Sequence, residues 1–457
     1  MGSRPRERTA LILSGETVYT KLERVAKLAK QSPGMVFTSL SHHIDVEWLT
    51  EARRRTRKDG APGVDGQTAE DFEQDLEANL QGLLNRAKSG TYRAPPVRRA
   101  RIPKESGEYR DIGVPTYEDK VLQRAVAMVL GAVYEQDFLD CSYGFRPGRS
   151  QHQALEALRE AVMRMKGGWV LEVDLRKFFD TLGHQHIREI VRQRVRDGVL
   201  LRLIGKWLHA GVMQDGQISY PDEGSPQGGV ISPLLANIYL HHVIDEWFER
   251  VVKPRLRGKA QMVRFADDIV MVFAIEEDAR RVMQVLPERI GKYGLSLHPT
   301  KTRIVRFTRP PLNPRKGREE EAPPGTFDML GFTHYWGRSR KGAWVVKRRT
   351  AKARLKRAIA KISAWCREHR HEPVRQQWHR LCEMLRGHDA YYGITGNYRA
   401  LARMRRATRR VWRKWLGRRS NRARMVWTRM ADLLERHPLP PAKVVHRYQL
   451  PVARSHT

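Results

Sequence analysis

The strongest strand pattern in this sequence is at residues 262–273, MVRFADDIVMVF, where two apolar, β-prone runs flank the short polar element Ala266, Asp267, Asp268. Such a pattern predicts a hairpin with two adjacent carboxylates at its tip. Other segments carry the helical period instead. Leu22, Val25 and Leu28 predict a short basic helix, Val46, Trp48, Leu49 and Ala52 a second, and Phe72, Leu76, Leu80, Leu83 and Leu84 a helix over 69–88. Residues 92–116, RAPPVRRARIPKESGEYRDIGVPT with its flanks, predict a basic hairpin turning at Ser106 and Gly107. A helix over 117–134, a Gly- and Pro-rich loop SYGFRPGRS and a helix near 154–165 follow. Trp169 to Val173 then reads as a buried strand with Asp174 at its end, a more telling place for a carboxylate than a loop. Ser232 and Pro233 fit the N-cap and first position of a long helix with Leu234, Leu235, Ile238 and Trp247 inward. After a helix over 278–293, Lys301 lies on a turn into a strand. Residues 309–325 are expected to lack regular structure, and an apolar strand resumes over 327–332.

Beyond Gly331 three helices are readable. The first carries Leu355, Ile359, Ile362 and Cys366; the second opens with Pro373 and buries Val374, Trp378, Leu381 and Leu385. The third runs from Asn397 as cap through Leu401, Met404, Val411 and Trp415 to Gly417. Its other face is a ladder of Arg399, Arg403, Arg406, Arg410 and Arg413.

Charge decides the class of partner. The 457 residues hold 85 Lys and Arg against 50 Asp and Glu, a net charge of +35, which points to a polyanion, with nucleic acid ahead of an anionic membrane surface. No eighteen-residue apolar run and no signal peptide is present, so a soluble, intracellular protein with no membrane partner is expected. After Gly331 there are 33 basic residues against 6 acidic, and seven of the eleven tryptophans. That mixture of aromatic and basic surface suits RNA, although most of the tryptophans are expected in the core. In the N-terminal part, Arg53, Arg54 and Arg55 are candidate phosphate contacts. Three scattered cysteines exclude a disulfide framework or a CxxC zinc site.

Taken alone, Asp267 and Asp268 read equally well as an ordinary Asp-rich turn. Together with Asp174 about ninety residues earlier, a glycine loop holding Gln227 and Gly228, and the basic groups Lys104, Arg110 and Lys301, they make a polymerase-like set. Phosphoryl transfer needs charge neutralisation, and an all-oxygen ligand set suits two Mg²⁺ ions, with Mn²⁺ as a substitute. Phe179, five residues beyond Asp174, is placed to exclude a 2′-hydroxyl, with membership of the core alongside Phe178 as the alternative. Arg146 and Arg149 in SYGFRPGRS are candidate template contacts.

The succession RIPK, YGFRPGRS, VDLRKFFD, SPQGGVISPLLANIYL, RFADD, GLSLHPTKT and LGF resembles the blocks of the reverse transcriptases encoded by bacterial group II introns, and RGHDAYYGITGN through WLGRRS resembles their thumb or maturase region. This resemblance implies an α+β right-hand polymerase fold: an N-terminal extension and start of the fingers over 1–90, fingers and palm over 91–335, a helical thumb over 336–440, and a tail. It implies catalysis by Asp174, Asp267 and Asp268, which with Leu175 hold the metals; Lys104, Arg110, Phe179, Gln227 and Lys301 beside the deoxynucleoside triphosphate; and Arg146, Arg149, Phe265 and Gly228 beside primer and template. The expected partners are a group II intron RNA and a DNA target or primer, and the location this resemblance implies is the bacterial cytoplasm or nucleoid. Phe265 replaces the family's usual Tyr, removing a hydroxyl near the primer end. The chain stops soon after the third thumb helix without the cysteine pairs of an endonuclease, so target cleavage is not expected, a layout similar to the class C proteins. Two alternatives remain: a related polymerase recruited to phage defence, a CRISPR locus or DNA repair, and an RNA-binding maturase without a polymerase role.

Overall fold

The protein is described by a computed structural model covering residues 17–103, 109–214, 217–219, 228–311, 323–420 and 424–447. Helices and sheets are mixed in an α+β arrangement. In chain order the strands are β1 (Val97–Pro103), β2 (Tyr109–Val114), β3 (Trp169–Val173), β4 (Val212–Gln214), β5 (Gln217–Ser219), β6 (Ala260–Phe265), β7 (Asp268–Phe273), β8 (Arg303–Arg306), β9 (Phe327–Met329), β10 (Phe332–Arg338) and β11 (Trp344–Thr350).

The central sheet has the order β6-β7-β3-β8, antiparallel throughout. Both of its faces are covered. Ile269, Met271, Phe273, Leu171 and Val173 enter the large core shared with the N-terminal helices, while Val263, Val270, Val272, Val170 and Val305 face a second core against the helix Gln151–Arg164. Burial on both faces explains the continuous apolar runs of β6 and β7. The helix Gln151–Arg164 starts at a capping box in which Ser150 and Gln153 satisfy each other's backbone N–H groups, and the helix Tyr117–Tyr134 starts at Thr116, whose hydroxyl accepts from Asp119 N–H.

The predicted basic hairpin is present as β1 and β2, but β4 and β5 extend it into a four-stranded sheet that the sequence pattern did not reveal. The helix expected over 69–88 is divided into Ala69–Gln74 and Leu76–Ser89. Asp75 between them has non-helical backbone angles, and the Asn79 amide donates to the Phe72 carbonyl across the break at 3.0 Å. The cap expected at Ser232 is shifted by one: Ile231 is the N-cap and Ser232 and Pro233 are the first two helical residues. That helix, Ser232–Leu240, does not continue as regular α-helix; it runs on as π-helix over His241–Asp245 and Trp247–Val252.

After the central sheet, β9, β10 and β11 form an antiparallel sheet of their own; the strand expected over 327–332 is divided by the turn at Leu330 and Gly331 into β9 and the start of β10, and the rest of the sheet is not evident in the sequence pattern. The three anticipated helices follow as Lys352–Glu368, Val374–Tyr392 and Tyr398–Leu416, with a further helix Trp427–Arg436. Leu401 and Met404 are buried as expected. Trp412 and Leu416 take the inward places expected of Val411 and Trp415, which lie half-buried at the edge of that core. Among the described residues no helix is long and apolar enough to cross a membrane.

Candidate active site

In the pairing of β3 with β7, Val173 lies opposite Ile269, so the next pair outward sets Asp174 across from Asp268. Asp267 precedes Asp268 in the two-residue link between Phe265 and Asp268, which pair across β6 and β7. All three candidate carboxylates therefore sit at one end of the doubly buried sheet, where the chain leaves the core. Ala266, the first link residue, has φ +55, a left-handed conformation that tight hairpins require and that alanine adopts reluctantly.

The groups that hold this turn came from no sequence motif. Arg264 is fully buried, and its guanidinium is bonded on every side. Nε and one terminal nitrogen donate to Asp245 at 2.7 and 2.6 Å, that same nitrogen donates to the Ser142 hydroxyl at 2.7 Å, and the other donates to Asn237 Oδ1 at 3.0 Å and to the Ala266 carbonyl at 3.1 Å. Asp245, also fully buried, is on the first π-helical segment. Asn237 in turn donates to the Gly144 carbonyl at 2.7 Å. The loop from Cys141 to Gly144 is thereby fixed along β6, with Arg264 N–H bonded to the Cys141 carbonyl and Tyr143 N–H to the Arg264 carbonyl. A Cβ on Gly144 would stand 2.3 Å from the Ala266 nitrogen, so only glycine fits.

Asp174 is partly exposed, and Lys301 Nζ lies 3.6 Å from its carboxylate. The bridge between Leu175 and Leu297 is closed by His298 N–H to the Asp174 carbonyl and Arg176 N–H to the Ser296 carbonyl, so the Leu175 carbonyl is engaged in neither bond. Being apolar, Leu175 can contribute to a metal site only through that carbonyl. Lys177 turns the chain with φ +47, after which Phe178 is buried and Phe179 is half-buried, edge-on to it at 5.1 Å. The two phenylalanines thus differ in exposure: Phe178 belongs to the core, and Phe179 packs against that core half-buried.

The expected anchors divide into several groups. Lys104 and Gln227 lie outside the described residues, and Arg110 is placed only by its backbone, opposite Ile102 in β2. Gly228, with φ +125, approaches the β2 backbone so closely that a Cβ would meet the Gly113 carbonyl at 2.5 Å. Its need for glycine is met within the protein. Arg146 corrects the expectation of an open template contact: it is buried, donating to Glu135 at 3.0 Å and to the Leu139 and Ser142 carbonyls at 2.8 and 3.0 Å. Arg149 pairs with Asp140 and lies over the Tyr143 ring. Arg53 is paired with Glu73, and Arg54 and Arg55, which remain at the surface, with Glu51, so each arginine of the N-terminal basic run has a carboxylate partner within the protein. Along the helix Tyr398–Leu416, Arg399, Arg403, Arg406 and Arg410 are exposed, whereas Arg413 donates to the Met425 carbonyl and covers the Trp427 ring at 4.4 Å.

Two further residues border the site. Phe145 is 60% exposed, its ring 6.5 Å from that of Phe265. Tyr391, on the helix Val374–Tyr392, donates to the Leu330 carbonyl at 2.9 Å; burial, with the charge of Asp268 among the lesser causes, pushes its hydroxyl up to about 12. All three cysteines have thiols raised by burial, which agrees with inert side chains.

The donor chemistry at the sheet end fits a hard divalent cation: three carboxylates and a carbonyl, with oxygen as the only ligand atom. Among the described residues, however, no three His, Cys, Asp or Glu side chains are gathered closely enough to hold an ion as they stand.

The family described as reverse transcriptase (RNA-dependent DNA polymerase) matches residues 102–334, just over half of the chain and the whole of the central sheet. The chain belongs to the reverse transcriptase family. Protein YkfC of Escherichia coli is 35% identical over 297 residues, covering 56% of this chain and 76% of that protein. The group II intron-encoded protein LtrA of Lactococcus lactis is 36% identical over 229 residues, 49% of this chain and 37% of LtrA, so the match spans little more than a third of that relative. A nuclear intron maturase of Arabidopsis thaliana, named as mitochondrial, is 29% identical over 136 residues, 30% of this chain and 17% of that protein. These likenesses set the reverse transcriptase among the group II intron type.

Proposed function

We propose that the reverse transcriptase copies RNA into DNA at the end of the central sheet, in a right-hand arrangement of fingers and palm before residue 335 and a helical thumb after it. The observation that carries this reading is the strand register, which sets Asp174 opposite Asp268 with Asp267 in the adjoining turn. Asp174, Asp267, Asp268 and the Leu175 carbonyl would hold two Mg²⁺ ions, which when bound lower the barrier by polarising the attacking 3′-hydroxyl and stabilising the leaving pyrophosphate. Lys301, beside Asp174, offers a cation to the triphosphate, with Lys104 and Arg110 as its partners from the β1–β2 hairpin and Gln227 beside the nucleotide. Phe179 lies against the sugar. On the opposite side of the carboxylates, Phe265 borders the primer end.

The second element is a maturase role: binding an intron RNA and aiding its splicing, with a DNA end as primer. Its support is the exposed basic face of Arg399, Arg403, Arg406 and Arg410, where phosphate neutralisation would release counterions. One experiment separates the two roles. Asp267→Ala should abolish Mg²⁺-dependent extension of a DNA primer on an RNA template while leaving structured-RNA affinity intact. Reversing the four arginines to Glu should weaken RNA binding and flatten its salt dependence by about 0.7 to 0.9 log units for each phosphate no longer neutralised, while extension on a short saturating duplex persists. Extension by the Asp267 variant would overturn the polymerase assignment. Unchanged RNA affinity in the four-Glu variant would reduce that face to solvated charge.

A further inference from the structure

Phe145 combines features that a protein does not retain for its own stability. Its φ is +56, in the left-handed region that side chains with a Cβ avoid, and its ring is 60% exposed and belongs to none of the hydrophobic clusters. Both neighbours are immobilised by buried contacts. Before it, Gly144 is wedged against the Ala266 nitrogen and held by Asn237; after it, Arg146 is locked by Glu135, Leu139 and Ser142. The surrounding structure therefore forces Phe145 to hold its ring outward, beside Phe265 at 6.5 Å, on the β6 side of the carboxylate turn. Lys301 and Asp174 occupy the β3–β8 side.

We propose that Phe145 is a primer-binding residue: with Phe265 it forms a two-ring apolar platform on which the terminal nucleotide of the primer strand packs, by base or sugar face. The proposal rests on the polymerase reading above and deepens it. A flat apolar surface beside the carboxylates accepts any of the four bases, as a sequence-indifferent polymerase requires, because each presents a π-face. The opposite side of the turn already holds the cation suited to a triphosphate, which leaves the primer end as the occupant here.

The test uses the full chain, a recessed DNA primer on an RNA template, and three variants, Phe145→Gly, Phe145→Ala and Phe145→Trp. Duplex affinity is read by fluorescence anisotropy, and extension is followed at saturating deoxynucleotides. Glycine relieves the positive φ and removes an exposed apolar ring, so Phe145→Gly should melt at or above the wild-type temperature. The same variant should bind the duplex about five- to a hundredfold more weakly and show a matching rise in KM for primer–template, with kcat at saturating duplex little changed. Phe145→Ala should share the binding loss, and Phe145→Trp should restore binding. A Phe145→Gly variant that melts lower would make Phe145 a packing residue, and one that binds duplex as the wild type does would remove the platform; either result overturns the proposal. If the wild-type chain extends no primer, it is the polymerase reading that fails, a result distinct from both.

Discussion

The buried guanidinium of Arg264 joins four parts of the molecule: Asp245 on the π-helix, Asn237 on the helix before it, Ser142 in the loop along β6, and the Ala266 carbonyl in the carboxylate turn. Replacing Arg264 by Met removes the guanidinium bonded to a carboxylate that is itself 0% exposed. Removing one partner of a buried pair costs about 3 to 5 kcal/mol, so Arg264→Met should lower the unfolding free energy by about that amount. Replacing both partners, Arg264→Met with Asp245→Leu, leaves no uncompensated charge, and such exchanges are often neutral in stability. The double variant should therefore regain much of the lost stability. Extension should not follow, because the bond to Ala266 is still missing and a carboxylate displaced by about 1 Å costs about a hundredfold in rate. The assay is urea unfolding in parallel with single-turnover extension at saturating Mg²⁺ and duplex. Recovery of the extension rate together with stability in the double variant would refute the positioning role and leave Arg264 as a fold element alone.

Two further outcomes follow from the structure. Phe179→Ala should admit ribonucleotides more readily, lowering discrimination by roughly ten- to a hundredfold, measured as the ratio of kcat/KM for deoxy- and ribonucleotides; unchanged discrimination would assign the half-buried ring to the core beside Phe178. His334, fully buried in β10 and stacked on Phe327 at 4.6 Å, has its pKa lowered to about 3 by burial and then by the charge of Arg348. Because its folded value is below the unfolded 6.5, the stability it confers is present above pH 6.5 and is lost as pH falls toward 3, by about 2 kcal/mol at pH 5. His334→Phe should remove that part of the acid sensitivity, read as the difference in melting temperature between pH 8 and pH 5.

The sequence disclosed the elements in which apolar residues dominate at the strand or helix period. The β6–β7 hairpin, β3 with Asp174 at its end, and the helix Tyr117–Tyr134 are all of this kind, with Arg264 in β6 and Asp119 and Gln123 in the helix as isolated buried polar exceptions. The missed elements break the pattern for identifiable reasons. In β11, alternate residues point inward, but one of them is Arg348, buried through its bond to Glu156, 192 residues away. A charge satisfied by so distant a partner disguises an inward position as an outward one. The π-helix after Leu240 has the same apolar content as an α-helix, and its different hydrogen-bond spacing leaves no local signature. The carboxylates of the candidate site were legible from residue type and spacing. The network that aims them was not, since Arg264 and Asp245 are nineteen residues apart with nothing in either neighbourhood to mark the pair.

The same distinction governs the excess of positive charge. A net charge of +35 identifies a polyanionic partner without saying which arginines meet it. Arg146, Arg264, Arg348 and Arg405 are buried and bonded to Glu135, Asp245, Glu156 and Asp389 respectively. Each ties together segments distant in sequence or holds a loop, so each acts on nucleic acid only through the shape it imposes. Arg399, Arg403, Arg406 and Arg410 face outward on one helix, whose neighbour Arg405 on the inward side is fastened to Asp389 and to the Pro440 carbonyl. One arginine of that run fixes the helix and the others present charge from it. A fall in RNA affinity on changing an arginine is therefore informative only when its burial is known: in the exposed set it reports a phosphate left unbound, in the buried set a weakened framework. Salt separates them, because binding a phosphate sets the slope of affinity against ionic strength, whereas a buried pair, poorly screened, changes the affinity through the fraction of molecules correctly folded.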